Sequence, residues 1–238
     1  MSRSRWRLVV PAVATAAGLL FGISASTSKG TDLRSGQTDL VGLINDGNAK
    51  VARQQREVQG LRKQVQDLTA KDAPGTSADQ LTKQASAIAP TAGLSPVSGE
   101  AMRITLSDST RDVSSLPEGG TADWLVVHQQ DVQGVVNALW QGGASAMMLM
   151  DQRVISTSAV RCVGNTLILQ GRVYSPPFTI TAIGDPGALR KALDASPAVR
   201  NYRAYVDIAG LGYKAEQLDA SFPAYSGSLT LRYAKPAS

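Results

Sequence analysis

Cysteine and histidine occur once each in this 238-residue chain, as Cys162 and His128. A lone cysteine excludes an intramolecular disulfide and any cysteine-based zinc site of the usual spacing. Set in an apolar strand pattern, Cys162 reads as a small buried hydrophobe. A lone histidine leaves little from which to build a catalytic centre. A general base needs a nucleophile and an orienting carboxylate within hydrogen-bond reach. Asp131 follows His128 closely, but Ser156, Ser158 and Ser175 lie elsewhere and no spacing gathers them. A metal would have one imidazole and carboxylates drawn from distant loops. The carboxylate pair of a glycosidase fares no better among Asp123, Asp131, Asp151 and Asp185. Asp131 and Asp185 occupy helix-capping positions, and Trp124 would point away from its strand neighbour Asp123. A GxGxxG phosphate loop is also missing, since Gly119-Gly120 and Gly142-Gly143 read as turns. No cofactor, no metal and no enzymatic reaction are expected.

Excess charge is lacking as well, despite an isoelectric point near 9.5. Without the three arginines of the first seven residues, 21 basic side chains face 19 acidic ones. No Lys/Arg run with interleaved aromatics occurs, so nucleic acid is excluded as a partner.

Acidic residues are absent before Asp32, and that absence frames the clearest signal present. Arg3, Arg5 and Arg7 precede an apolar run at residues 8–23, LVVPAVATAAGLLFGI. A cationic start ahead of such a run is a membrane-insertion signal that holds the N-terminus in the cytoplasm. Trp6 sits where an interfacial aromatic sits. The run is close to the lower length limit for a span, about 17 residues. Ser24-Ala25-Ser26 resembles a cleavage site, so the residues alone leave a retained anchor and a cleaved secretory signal both open. Either one exports the rest of the chain.

Residues 40–68 place apolar side chains on a heptad. Ile44, Val51, Val58 and Val65 fall at a, and Leu40, Leu61 and Leu68 at d, with Gly47 and Gln54 interrupting the d seam. Branched residues at a with leucine at d favour a parallel two-stranded coil, and Glu57 at g with Arg62 at the next e suits an interhelical ion pair. Glycine inside a helix costs about 1 kcal/mol against alanine, so this coil is weak unless two copies share a membrane. The alternative is a single solvated helix acting as a spacer. Residues 71–99 then turn rich in Ala, Pro, Ser, Thr and Gly, with a short helix over 78–89.

Beyond Glu100 short strands alternate with helices. Strands are expected at 101–106, 124–128, 145–150, 154–162, 166–170, 178–183, 213–218 and 229–233. Helices are expected at 131–141, where Val132, Val135, Val136 and Leu139 form one stripe, then after Asp185-Pro186, and over 198–209. Helices set between strands predict an α+β sandwich of ferredoxin-like type with the helices on one sheet face.

Residues 135–189 resemble the core of the domain-of-unknown-function 881 family, through the elements QRV (152–154), Val160-Arg161-Cys162, GN (164–165) and IGDP (183–186). The basic start, apolar run, helical stalk and closing Leu231-Arg232-Tyr233 also resemble that family's layout, with Val160 in place of its common isoleucine. The resemblance implies a membrane-anchored extracytoplasmic domain of ferredoxin-like fold, associated with cell division or the envelope, and implies no reaction. It favours the retained anchor. The expected layout is a cytoplasmic tail (1–7), a transmembrane helix (8–26), a helical or coiled-coil stalk (27–70), a linker (71–99) and an extracytoplasmic domain (100–238).

The residues support two functional expectations. The first is a scaffold or adaptor of the cell membrane, whose partners are the bilayer, a second copy through the seam Ile44, Val51, Val58, Leu61, Val65 and Leu68, and other envelope or division proteins. The second is an exported module that binds a small ligand through Arg153, Arg161, Asn165, Arg172 and Tyr174. Arginine and tyrosine are enriched at binding hot spots, although the same region also fits a polar outer sheet face with a Pro176-Pro177 turn blunting an edge.

Overall fold

The computed structural model describes residue 15 and residues 36–72 and 76–229. Apart from residue 15, the expected transmembrane helix at 8–26 lies outside these residues, as does all of the closing strand beyond Leu229. Among the described residues no helix is long and apolar enough to cross a membrane. The chain divides into two units, Met1–Asp46 and Gly47–Ser238, and the second holds both sheets and the core.

Helix α1 runs Gly36–Asp72 and α2 runs Thr76–Ile88. The main sheet has the order β3-β2-β7-β1-β8, formed by Gln152–Val154, Ala146–Leu149, Phe178–Ile183, Val97–Ser107 and Gly212–Phe222. All of its neighbouring pairs are antiparallel. In chain order β1 leads through helix α3 (Gln129–Gln141) to β2, and β7 leads through α4 (Pro186–Ala195) and α5 (Pro197–Ala209) to β8. Each crossover therefore spans one intervening antiparallel strand, which is the split βαβ arrangement used twice. Between β3 and β7 the chain inserts a second sheet of order β4-β5-β6, at Val160–Val163, Thr166–Leu169 and Arg172–Tyr174.

The core follows from two periodicities. Met102, Ile104 and Leu106 of β1 alternate onto the helix side of the sheet, where they meet Val132, Val135 and Leu139 of α3. Helix and strand patterns that agree on one face give a single continuous core. The helices approach closely because small residues permit it: a Cβ on Gly134 would stand 2.8 Å from that of Ala198. Capping is local chemistry. Asp185 accepts from the Ala188 amide at 2.6 Å ahead of Pro186, and Ser196 ends α4 while starting α5. On the opposite sheet face Ala101, Ala146, Ile183 and Phe222 make a smaller cluster.

Four elements differ from the sequence reading, one of them a strand at Arg172–Tyr174 where none is expected. Residues 124–128 are no strand: Ala122–Leu125 is a 3₁₀ turn, which carries the Trp124 ring edge-on to Tyr205 at 5.4 Å. The expected strand at 154–162 is two strands of different sheets. Ser158 accepts from the Ile155 amide at 3.0 Å and so closes a turn between them. Strand β1 begins at Val97, inside the expected linker, because β8 is long enough to pair with it as far as Phe222.

Candidate functional site

Asn48 and Arg62, two heptads apart on α1, fix the stalk helix to the outer domain. The Asn48 amide donates to the Val173 carbonyl at 2.7 Å and accepts from the Val173 amide at 2.9 Å. Strand β6 is an edge of the small sheet, so Asn48 occupies the hydrogen bonds that a further strand would make and blunts that edge. Arg62 donates to the Gly227 carbonyl at 3.2 Å. Between these anchors α1 passes over the β5–β6 hairpin, where Gln170 and Gly171 both have positive φ (51° and 80°) as a two-residue type I′ turn requires. A Cβ on Gly171 would stand at ordinary van der Waals distance, 3.9 Å, from Val51. Val51, Gln55 and Val58 thus look toward the 157–159 turn, Gln170 and residues 225–228 across a cleft of about 600 Å³.

The heptad seam is divided by this docking. Val51 is half-buried, while Val58, Leu61, Val65 and Leu68 are exposed, Leu61 at 53% and Leu68 at 57%. Ile44 belongs to the first unit. Leu61, Val65, Gln66 and the flanking Val58 and Arg62 form a shallow, predominantly apolar surface on the outside of the helix.

The five residues expected to form a ligand surface are not brought to one place. Arg161 and Asn165 are exposed on the β4–β5 hairpin. Arg172 and Tyr174 both turn to Asp151, which also accepts from Gln152 at 3.1 Å. Burial pushes the Asp151 carboxyl up, but the bonds from Tyr174, Gln152 and Arg172 together outweigh it and hold its pKa below the ordinary value. Burial and the adjoining Asp151 charge push the Tyr174 phenol well above its ordinary range. In this closed cluster the one carboxylate answers the one guanidinium. The sequence offers Asp151 only as a glycosidase carboxylate, and nothing in its spacing announces the two partners 21 and 23 residues on.

Arg153 is different. It is 6% exposed, and its Nη1 donates to the Pro223 carbonyl at 3.2 Å while its guanidinium lies 5.8 Å above the Phe222 ring. Nε is buried without a partner, as it also is in Arg172 and Arg203, so what sets Arg153 apart is its lack of a carboxylate. No carboxylate among the described residues pairs with it, and burial alone pushes its pKa down. Arg153 also lines a cavity of about 500 Å³ between α3, the β3 edge and residues 90–93.

His128 stands between two carboxylates. Its Nε2 meets Asp123 at 2.9 Å and its Nδ1 lies 3.7 Å from Asp131. Asp131 accepts from the His128 backbone amide at 2.8 Å, which closes the first turn of α3. Burial pushes the Asp131 carboxyl up against that bond. The depression around them holds Trp124, Asn201, Tyr202 and Tyr205, with no serine or cysteine on its lining. Cys162 is half-buried against the core, its amide bonded to Gln129 at 3.0 Å and its thiol pKa pushed up by burial. Among the described residues no group of His, Cys, Asp and Glu is arranged to hold a metal.

The described chain is thus a doubly split βαβ domain with an inserted three-stranded sheet, on which helix α1 is held by side-chain bonds from Asn48 and Arg62 to backbone groups. Residues 84–235 match the family described as bacterial protein of unknown function (DUF881), and the chain belongs to that family. It is similar to the UPF0749 protein YlxW of Bacillus subtilis, with 36% identity over 98 residues, 41% of each chain. It is also similar to the UPF0749 proteins MT1871 and Rv1823 of Mycobacterium tuberculosis, at 25% identity over 199 residues, covering 80% of this chain and 63% of each relative. The chain therefore spans 41% to 63% of the length of these curated relatives. A crystal structure of an uncharacterized conserved protein from Mycobacterium tuberculosis is similar at a TM-score of 0.47 and 24% identity, over 65% of this chain and 99% of that one.

Proposed function

We propose that this protein is a non-enzymatic, single-pass membrane protein whose extracytoplasmic domain acts as a scaffold or adaptor in cell-envelope assembly or division. Residues 8–26 anchor it with the N-terminus in the cytoplasm, a reading supported by the arginine-flanked apolar run. The domain is of ferredoxin-like type, which the strand order β8-β1-β7-β2 supports. The observation that carries the reading is the exposed apolar stripe Val58, Leu61, Val65 and Leu68, on a helix otherwise held to the domain by polar anchors. Single exposed apolar side chains are ordinary, but four that line up along one helix form a contiguous patch of the kind that marks an interaction surface. Its spacing suits a second copy, with Ile44 and Val51 continuing the seam, and tethering in one membrane raises the effective concentration that a short coil needs.

The test is the oligomeric state of the full chain in lipid nanodiscs or mild detergent. Val58→Ser together with Leu61→Ser is expected to convert dimer to monomer in sedimentation while far-UV circular dichroism stays unchanged. A parent that sediments as a monomer at every loading would refute self-association.

A further inference from the structure

We propose that the cavity between α3, the edge of β3 and residues 90–93 binds a small organic anion with an aromatic or similarly apolar body, its acidic head on Arg153. The volume, about 500 Å³, lies within the range of small-molecule sites. The lining has one charged side chain, Arg153, and no acidic one. The apolar wall is made by Val132, Val136, Leu149, Val154 and the Trp140 ring, which is 39% exposed. Gln133, Asn137 and Ser156 supply polar groups at the rim. The lining is mixed, with an apolar wall set among polar groups that can orient a ligand.

Arg153 marks where the charged end of a ligand belongs. A guanidinium removed from water is normally compensated by a carboxylate or by a full set of acceptors. Here one bond to the Pro223 carbonyl and the face of Phe222 are the compensation that the described residues supply. Nη2 lies 3.9 Å from the position a Cβ on Gly93 would take, and Gly93 and Arg153 both line the hollow. Gly93 has φ +74°, and a Cβ there would come within 2.6 Å of Ile155, so the wall beside the guanidinium closes only with glycine. A planar fork suits carboxylate and phosphate oxygens alike, and the Trp140 ring suits a flat apolar body. The inference is independent of the scaffold reading, since none of these residues lies on the α1 stripe.

The experiment is equilibrium dialysis of the full chain in nanodiscs against 2-naphthoate and 2-naphthyl phosphate, with empty nanodiscs as reference. Neutral 2-naphthol and inorganic phosphate each carry only half of the required chemistry. Saturable binding of at least one naphthyl anion, at least tenfold tighter than either half, is expected, and the better of the two anions identifies the head group. Arg153→Met is expected to weaken it at least tenfold. Ser156→Trp, which fills the rim and leaves the arginine in place, is expected to abolish it with the circular dichroism spectrum unchanged. Absence of saturable binding above the reference overturns the proposal. So does equal binding of inorganic phosphate, or binding that survives Ser156→Trp.

Discussion

Asp151 and Arg153 flank Gln152 at the start of β3, yet their charges are treated in opposite ways. Asp151 gathers Arg172, Tyr174 and Gln152 and has its pKa lowered. A carboxyl with a depressed folded-state pKa contributes stability above its unfolded value and loses it as pH falls through the folded one. Asp151→Asn is therefore expected to lower stability at neutral pH. It is also expected to flatten the loss seen by urea titration between about pH 5 and about pH 3. The Asp151 side chain is 54% exposed, so the effect is small, about 0.5–1 kcal/mol. Asp131 works in the other sense: burial raises its pKa, so the folded state holds that proton more tightly and its contribution declines as pH rises. Arg153 has no such compensation. Arg153→Met keeps the length of the side chain and removes an unpaired buried charge, so the unliganded protein is expected to gain between 0 and about 2 kcal/mol. Scanning calorimetry would register that as a melting temperature unchanged or raised by a few degrees. A clear fall would make the guanidinium a structural strut for Phe222 and Pro223.

Among the helices and strands, legibility tracked how local the determining physics was. The α3 stripe, the Asp185-Pro186 helix start and the Gly142-Gly143 stop are contained within a few residues, and each stands where the sequence places it. The 3₁₀ turn at Ala122–Leu125 was illegible because WLVVH has the composition of a strand; the pairing that would make it one is missing, and Trp124 instead meets Tyr205, far along the chain. The 154–162 run misled for a related reason, since Ile155 and Val160 are both apolar while the Ser156-Thr157-Ser158 turn between them moves the chain to another sheet. The most consequential miss was Asn48. On the heptad it is an ordinary polar e position, and no periodicity reveals that its amide matches the free edge of β6. Asn48→Ala removes both bonds and leaves the Val173 amide and carbonyl to water, a cost of about 1 kcal/mol for each bond. Hydrogen exchange is expected to speed up at Val173 and its neighbours by about one order of magnitude, with the main sheet unaffected.

Across the whole molecule the docking of α1 and its self-association draw on overlapping residues. Val51 and Val58 face the small sheet and residues 225–228 across a cleft, whereas a parallel coil over 40–68 needs both of them against a partner helix. A copy docked through Asn48 and Arg62 can therefore present only the Leu61, Val65 and Leu68 end of the stripe, and a full-length coil requires α1 to leave its own domain. The two states are separated by the anchors, about 2 kcal/mol for the two bonds of Asn48 and about 1 kcal/mol for the one of Arg62, so losing them shifts the balance toward the coil about thirtyfold and about fivefold respectively. Disulfide trapping makes this measurable. Leu68 is exposed and falls at d, so Leu68→Cys in two parallel helices meets its own copy, while native Cys162 is half-buried with its thiol pKa pushed up and reacts slowly. In membranes carrying Leu68→Cys, adding Arg62→Ala is expected to raise the rate of dimer crosslinking about fivefold, adding Asn48→Ala about thirtyfold, and adding both to raise it further. Unchanged crosslinking in all of these variants would show that docking and self-association use separate faces of the helix. Slower crosslinking would show that the docked helix, held at Val173 and Gly227, is itself the form that pairs.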